Sequence, residues 1–218
     1  MVFRSGINFS MARRSGYHPP MSSIDGLIAH ARARPRNTTP GLPPQPSLRT
    51  AILTCMDARI DPVSLFGLGP GDAHVLRNAG ARATPDVMRS LALSQAILGT
   101  REVLVLGHTG CGLFARTEAE LSEAIRSKSG HRPNMELGCF HDLDEAIDET
   151  VRTLRRCPFL AHRDRISGYV YDLDAGSVRP AGVEENLAAR ATRGRPMTGL
   201  EMLRADVLDL KTHPPRRR

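Results

Sequence analysis

Cys55, His108 and Cys111 carry the side chains of this sequence best suited to chemistry. Two thiolates and one imidazole suit zinc, which takes sulfur and nitrogen ligands tetrahedrally and, in catalytic sites, keeps its fourth position for water. His108 and Cys111 sit on one turn of chain and can clasp a single ion, whereas Cys55 must arrive from elsewhere. The paired loops and fourth ligand of a structural zinc site are missing. The plain alternative is a packed free thiol at Cys55 and a strand-end His108 bonded to backbone. Asp57 lies two residues after Cys55, so at a strand end both side chains face the same way. A carboxylate there can orient a zinc-bound water, or bind the metal and block it. Arg59 can pair with Asp57 and decide between those outcomes. Taken in isolation, Asp57 and Arg59 read as a surface ion pair. Gly110 and Gly112 flank Cys111, allow the backbone close to a metal, and leave N–H donors at the start of a following helix.

These residues need elements that bring them together. Ala51-Ile52-Leu53-Thr54 is a short apolar run that reads as a buried strand, and Cys55 follows it directly. Ala73 to Leu76 is a second strand, followed by Arg77-Asn78-Ala79-Gly80. Glu102 to Gly107 is a third, followed by His108-Thr109-Gly110-Cys111-Gly112. Between the first two, Leu65 to Gly71 reads as turn. An apolar stripe at Val87, Leu91, Ala92 and Ile97 predicts a helix over 86–98, ended by Gly99. Leu113 to Lys128 and Leu143 to Leu154 read as further helices. Ile166 to Asp172 alternates as a strand does, and a turn at Asp174-Ala175-Gly176 leads to Ser177-Val178-Arg179 as a hairpin partner. Strands alternating with helices imply an α/β fold with a mainly parallel central sheet and flanking helices. In such a sheet the C-terminal strand ends meet in one crevice, where ligands bind. All three motifs fall there.

Composition bounds the function class. The chain has 218 residues and a formal charge of +7, with 40% hydrophobic residues and no Trp. The charge sits in the tails: residues 1–50 carry +6, residues 183–218 carry +3, and 51–182 carry −2. Basic tails can bind phosphates, but no aromatics interleave with the basic clusters as in a single-strand binder. That argues against nucleic acid as a partner. No apolar run approaches the ~18 residues of a membrane span, and no signal peptide is evident. Four cysteines without a secretory signal favour metal binding or burial over disulfides, and a cytoplasmic protein.

The motifs together carry a resemblance. Cys-x-Asp-x-Arg, Arg-Asn-Ala-Gly and His-x-x-Cys-Gly, in that order after three strands, resemble the beta-class carbonic anhydrases. CMDARIDP, GDAHVLRNAG, SLALSQAILGTREVLVLGHTGCG and PFLAHRDRISGYVYDLDAGSV are similar to the shorter bacterial and archaeal subgroup. The resemblance covers about Ser22 to Pro180. It implies a three-layer fold built as a homodimer or higher oligomer. It also implies zinc held by Cys55, His108 and Cys111, with Asp57 and Arg59 as the dyad beside it. Arg77, Asn78 and Gly112 would shape the substrate pocket. The implied reaction is reversible hydration of carbon dioxide to bicarbonate and a proton by zinc-bound hydroxide. The same fold could instead hydrolyse carbonyl sulfide or carbon disulfide, or bind zinc without catalysis. No His is an evident proton shuttle; a structural role is expected for His74, His131 and His162. Ala81 stands where relatives often carry a second glycine, and Gly110 where this subgroup commonly carries an acid.

The domain reading is an extension at 1–20, a catalytic domain at 21–182 and a C-terminal extension at 183–218. Ser22 or Ser23 can cap a helix running to Ala33, a Pro-rich linker spans 35–47, and Thr198 to Leu210 can form an amphipathic helix.

Overall fold

The computed structural model describes residues 23–33 and 41–182. The expected features at 1–20, 34–40 and 183–218 lie outside those residues. The chain divides into two units, 1–40 and 41–218. The described residues of the first form a helix, α1 (Ser23–Ala33), with Asp25 in its first turn and no buried residue. Ile24, Leu27 and Ile28 are spaced three and one residues apart, so they share one face. All three are exposed.

The second unit is built on a five-stranded sheet: β1 (Thr50–Cys55), β2 (Ala73–Asn78), β3 (Glu102–His108), β4 (Ile166–Asp172) and β5 (Ser177–Pro180). Its spatial order is β2-β1-β3-β4-β5. The first four strands are parallel, and β5 pairs antiparallel with β4 as a hairpin. β1 and β3 are central, which explains their unbroken apolar runs: a strand covered on both faces has no polar side to show. Leu53, Val105 and Leu106 are fully buried.

Among the described residues, four α-helices belong to this unit: α2 (Pro62–Phe66), α3 (Pro85–Ala96), α4 (Glu118–Ser129) and α5 (Leu143–Arg156). Their starts follow from local chemistry. Asp61, Thr84, Thr117 and Asp142 each accept a backbone N–H as N-caps, and Pro62 and Pro85 occupy first-turn positions that have no donor to lose. Val87 and Leu91 of α3 join Ile147, Val151 and Leu154 of α5 in one core with Ala51, Leu53, Val103 and Val105.

Two details differ from the sequence expectation. The turn after β1 contains α2, which Asp61 caps and Gly67 ends in a left-handed conformation. The helix expected from Leu113 begins instead at Glu118, because Ala115 adopts φ 55 and breaks the run. The N–H groups after Cys111 therefore enter a turn, not a helix.

α5 lies close to the sheet because Gly107 and Gly168 have no side chain. A Cβ at Gly168 would fall 2.6 Å from Ile147 Cγ2 and 3.2 Å from Val151 Cγ2. Ile147 is 1% exposed and cannot swing away. Gly168→Ala should therefore destabilise the fold by about 1–3 kcal/mol through overpacking. Urea unfolding followed by circular dichroism measures this, and an unchanged midpoint would refute it.

Candidate metal centre

The order β2-β1-β3 sets the site. From β1 the chain moves outward to β2, then crosses back over β1 to reach β3. The connections leaving β1 and β3 therefore diverge, and a crevice opens between their C-terminal ends. Cys55 is the last residue of β1 and His108 the last of β3. Cys111 follows on the turn after β3, where Gly110 has φ 65.

The ligand atoms of Cys55, His108 and Cys111 lie within 4.8 Å of one another, and all three residues are buried. His108 Nδ1 lies 2.9 Å from the Thr109 carbonyl. A carbonyl only accepts, so Nδ1 carries the proton and Nε2 presents a lone pair. Nε2 is the one buried side-chain nitrogen or oxygen among the described residues with no hydrogen-bond partner. A buried polar atom without a partner is costly, and a metal ion would satisfy it. The two sulfurs act on each other. The Cys111 thiol beside Cys55 lowers the Cys55 pKa against the effect of burial, and the neighbouring His108 ring and the N–H groups of Asp57 and Gly80 lower it further. Serving as donor and being buried push Cys111 up. Such a pair ionises once readily and a second time only with a cation beside it. The donor set thus fits zinc: two sulfurs and one imidazole nitrogen, all buried.

Asp57 sits at the edge of this cluster, its Oδ2 3.9 Å from His108 Nε2. Arg59 holds it by a fork: Nε donates to Oδ1 at 2.9 Å and a terminal nitrogen to Oδ2 at 2.6 Å. The Arg59 backbone N–H adds a third bond to Oδ1 at 3.0 Å. These bonds keep the Asp57 carboxyl well below the usual carboxylate range. The same guanidinium donates to the Gly110 carbonyl at 2.8 Å, which ties the dyad to the loop bearing Cys111.

The remaining site candidates divide. Arg77 donates to the carbonyls of Cys55 and Asp57 and so braces the first motif from below. The Asn78 amide bonds to both the backbone N–H and the carbonyl of Arg82, closing its own loop. Gly112 is exposed, and nothing lies within 4 Å of where its Cβ would stand. Ala81 has φ 55 and is fully buried, a left-handed conformation in which glycine is unstrained. His74 bonds Ser94 and the Pro44 carbonyl near the start of β2, while the ligands cluster at the opposite strand ends. His131 lies against the Ser129 carbonyl. Two contributors escaped the sequence reading. Thr109 offers the carbonyl that fixes the His108 tautomer, and Gly80 donates its N–H to Cys55 Sγ at 3.4 Å. Both are backbone contacts, so no side-chain pattern announces them.

Known proteins share this arrangement. A model of the carbonic anhydrase family matches residues 50–178. Beta-carbonic anhydrase 1 of Mycobacterium tuberculosis is 40% identical over 137 residues, covering 63% of this chain and 84% of its own length. A carbon disulfide hydrolase from Acidianus is 32% identical over 155 residues, covering 60% of this chain and 76% of its own. Among solved structures, a carbonic anhydrase from Streptococcus mutans superposes with a TM-score of 0.70 at 40% identity, over 74% of this chain and 99% of that one. Since the family match spans more than half the chain and takes in the whole sheet up to β5, the protein belongs to the carbonic anhydrase family, in its beta class.

Proposed function

We propose that this protein is a zinc-dependent carbonate dehydratase that hydrates carbon dioxide reversibly to bicarbonate and a proton. The observation that carries the reading is the buried trio Cys55, His108 and Cys111 with its partnerless Nε2. Zinc held there would lower the pKa of a bound water towards ~7, although two thiolates keep that value higher than neutral ligands would. The protein's own residues do the rest. Cys55, Cys111 and His108 Nε2 supply the ligand atoms. Asp57 is the acceptor that orients the attacking water. Held far below the usual carboxylate range, it accepts a hydrogen bond and does not itself take the proton. Arg59 fixes Asp57 in place, and Arg77 holds the carbonyls beneath it.

We further infer a homodimer or higher oligomer. α4 has no buried residue, and an apolar groove formed by Ala79, Leu113, Leu121, Ala124, Ile125 and Leu137 runs beside it. A second copy covering that groove would remove it from water. None of the four cysteines is in a disulfide, which supports a reducing, cytoplasmic setting. Among the described residues no helix is long and apolar enough to cross a membrane.

The test is a stopped-flow hydration assay on purified protein with its zinc content measured alongside. One zinc per chain and rapid carbon dioxide hydration are expected. Zinc-loaded protein that is inert towards carbon dioxide but hydrolyses carbonyl sulfide or carbon disulfide would overturn the substrate assignment. Light scattering on the same sample should show at least a dimer; an active monomer would contradict the oligomer.

A further inference from the structure

Glu118, the first residue of α4, is gripped by three successive backbone amides far along the chain. Its Oε2 accepts from Leu137 N–H at 2.9 Å, and its Oε1 from Gly138 N–H at 2.9 Å and Cys139 N–H at 3.1 Å. Consecutive N–H groups aimed at one point form an anion-binding nest. Gly138 supplies the turn with φ 81. An acid in the first turn of a helix is explained by the helix dipole alone. Three directed bonds to residues 19 to 21 positions away are not. Those amides hold the Glu118 carboxyl below its ordinary range.

The nest leads straight to the metal centre. The residue after Cys139 is Phe140, which is 8% exposed and packs in one cluster with Cys55, Cys111, Ile60 and Ala146. Phe140 is also laced to the chain leaving Cys111. Its N–H donates to the Leu113 carbonyl at 3.4 Å, and the Ala115 N–H donates to its carbonyl at 2.8 Å. The path from Cys111 through Ala115 into α4 is thus tied to Phe140 at both ends, by these bonds and by Glu118 through the nest.

We propose that Glu118 is a positioning residue of the metal centre: its carboxylate fills the Leu137–Cys139 nest and so holds Phe140 in the buried cluster that contains Cys55 and Cys111. The proposal rests on the reading of those cysteines as zinc ligands. Glu118→Ala should expose the Leu137–Cys139 amides to hydrogen exchange and speed zinc release to a chelator about tenfold, the scale of an outer-shell loss. Formate is a free carboxylate that fits the vacated nest. It should slow zinc release again in Glu118→Ala, saturably, and leave wild type and the surface variant Glu123→Ala unchanged. Should the alanine variant not fold, Glu118→Gln, which keeps an acceptor oxygen in the nest, carries the exchange and zinc-release comparison, without formate, with an effect of about threefold.

Unchanged amide exchange would show that Glu118 does not hold the nest. Faster exchange with zinc release within twofold of wild type would show a nest that does not reach the metal. Absence of a formate effect would show that no anion site exists. Each overturns the proposal. Wild type that binds no zinc would overturn the metal-centre reading, and this proposal with it.

Discussion

Replacing Cys111 by alanine should leave a folded protein that has lost its zinc. Cys111 belongs to a small cluster with Cys55, Ile60, Phe140 and Ala146, apart from the main core beneath α3 and α5. Removing one sulfur there should cost about 1–2 kcal/mol, at the low end for large-to-small core changes. The metal loses far more. His108 Nε2 and Cys55 alone cannot complete a three-ligand site, and zinc affinity should fall more than the ~10–100-fold seen when only an outer partner is lost. Carbon dioxide hydration should fall by roughly 10^3-fold or more, since no group among the described residues replaces the metal's effect on water. Elemental analysis, a stopped-flow hydration assay and a urea titration measure the three effects. Stoichiometric zinc in Cys111→Ala would remove Cys111 from the ligand set.

Arg59→Ala is expected to cost turnover without costing zinc. In the native arrangement the guanidinium occupies both Asp57 oxygens and anchors itself on the Gly110 carbonyl. Oδ2 is nevertheless only 3.9 Å from His108 Nε2. Released from the fork, the carboxylate can swing inward and compete with water for the metal's fourth position. Arginine stays protonated across the working range, and Asp57 is held as a carboxylate throughout it. Any pH dependence of this competition therefore comes from the water: as pH rises, hydroxide displaces the carboxylate more readily. Arg59→Ala should lose about 10- to 100-fold in turnover near neutral pH and recover part of it towards alkaline pH. Asp57→Asn should keep zinc and lose most turnover at every pH, because the charged acceptor is gone. Rates measured from about pH 6.5 to about pH 9, with zinc occupancy checked, decide the matter. Wild-type rates in Arg59→Ala throughout would reduce the dyad to a surface ion pair.

How far the sequence foretold this depends on what kind of contact does the work. The strands were legible because β1 and β3 are buried on both faces and β4 alternates between buried and half-buried positions. Three motifs placed directly after strands could be assigned to one crevice without knowing the strand order. The order itself was not legible, since nothing local in β2 says that it lies outside β1 and not beyond β3. α2 was missed because five residues show no helical period, although Asp61 and Pro62 were a cap signal in plain view. The start of α4 was misplaced because Leu113 and Phe114 look like a helix face but belong to the turn laced to Phe140. Arg77 and Asn78 were assigned to the pocket by resemblance, and the structure shows Arg77 bonded to loop carbonyls and Asn78 to the backbone of Arg82.

The reversal of direction between β2 and β3 also bears on how the protein comes to be made. Cys55 and His108 are remote along the chain and become neighbours only when β1 and β3 pair. That pairing must wait for β2 and α3, which intervene in sequence, and such non-local contacts form late. On the proposed zinc reading, an ion arriving during synthesis would meet at most His108 and Cys111 together, a weak two-ligand grip. Metal capture would therefore follow assembly of the sheet and not nucleate it, unlike in a zinc finger, where binding and folding are one event. The unloaded sheet would accordingly have to be stable enough to wait for an ion, and the apolar core between α3, α5 and the central strands is what would allow it to wait.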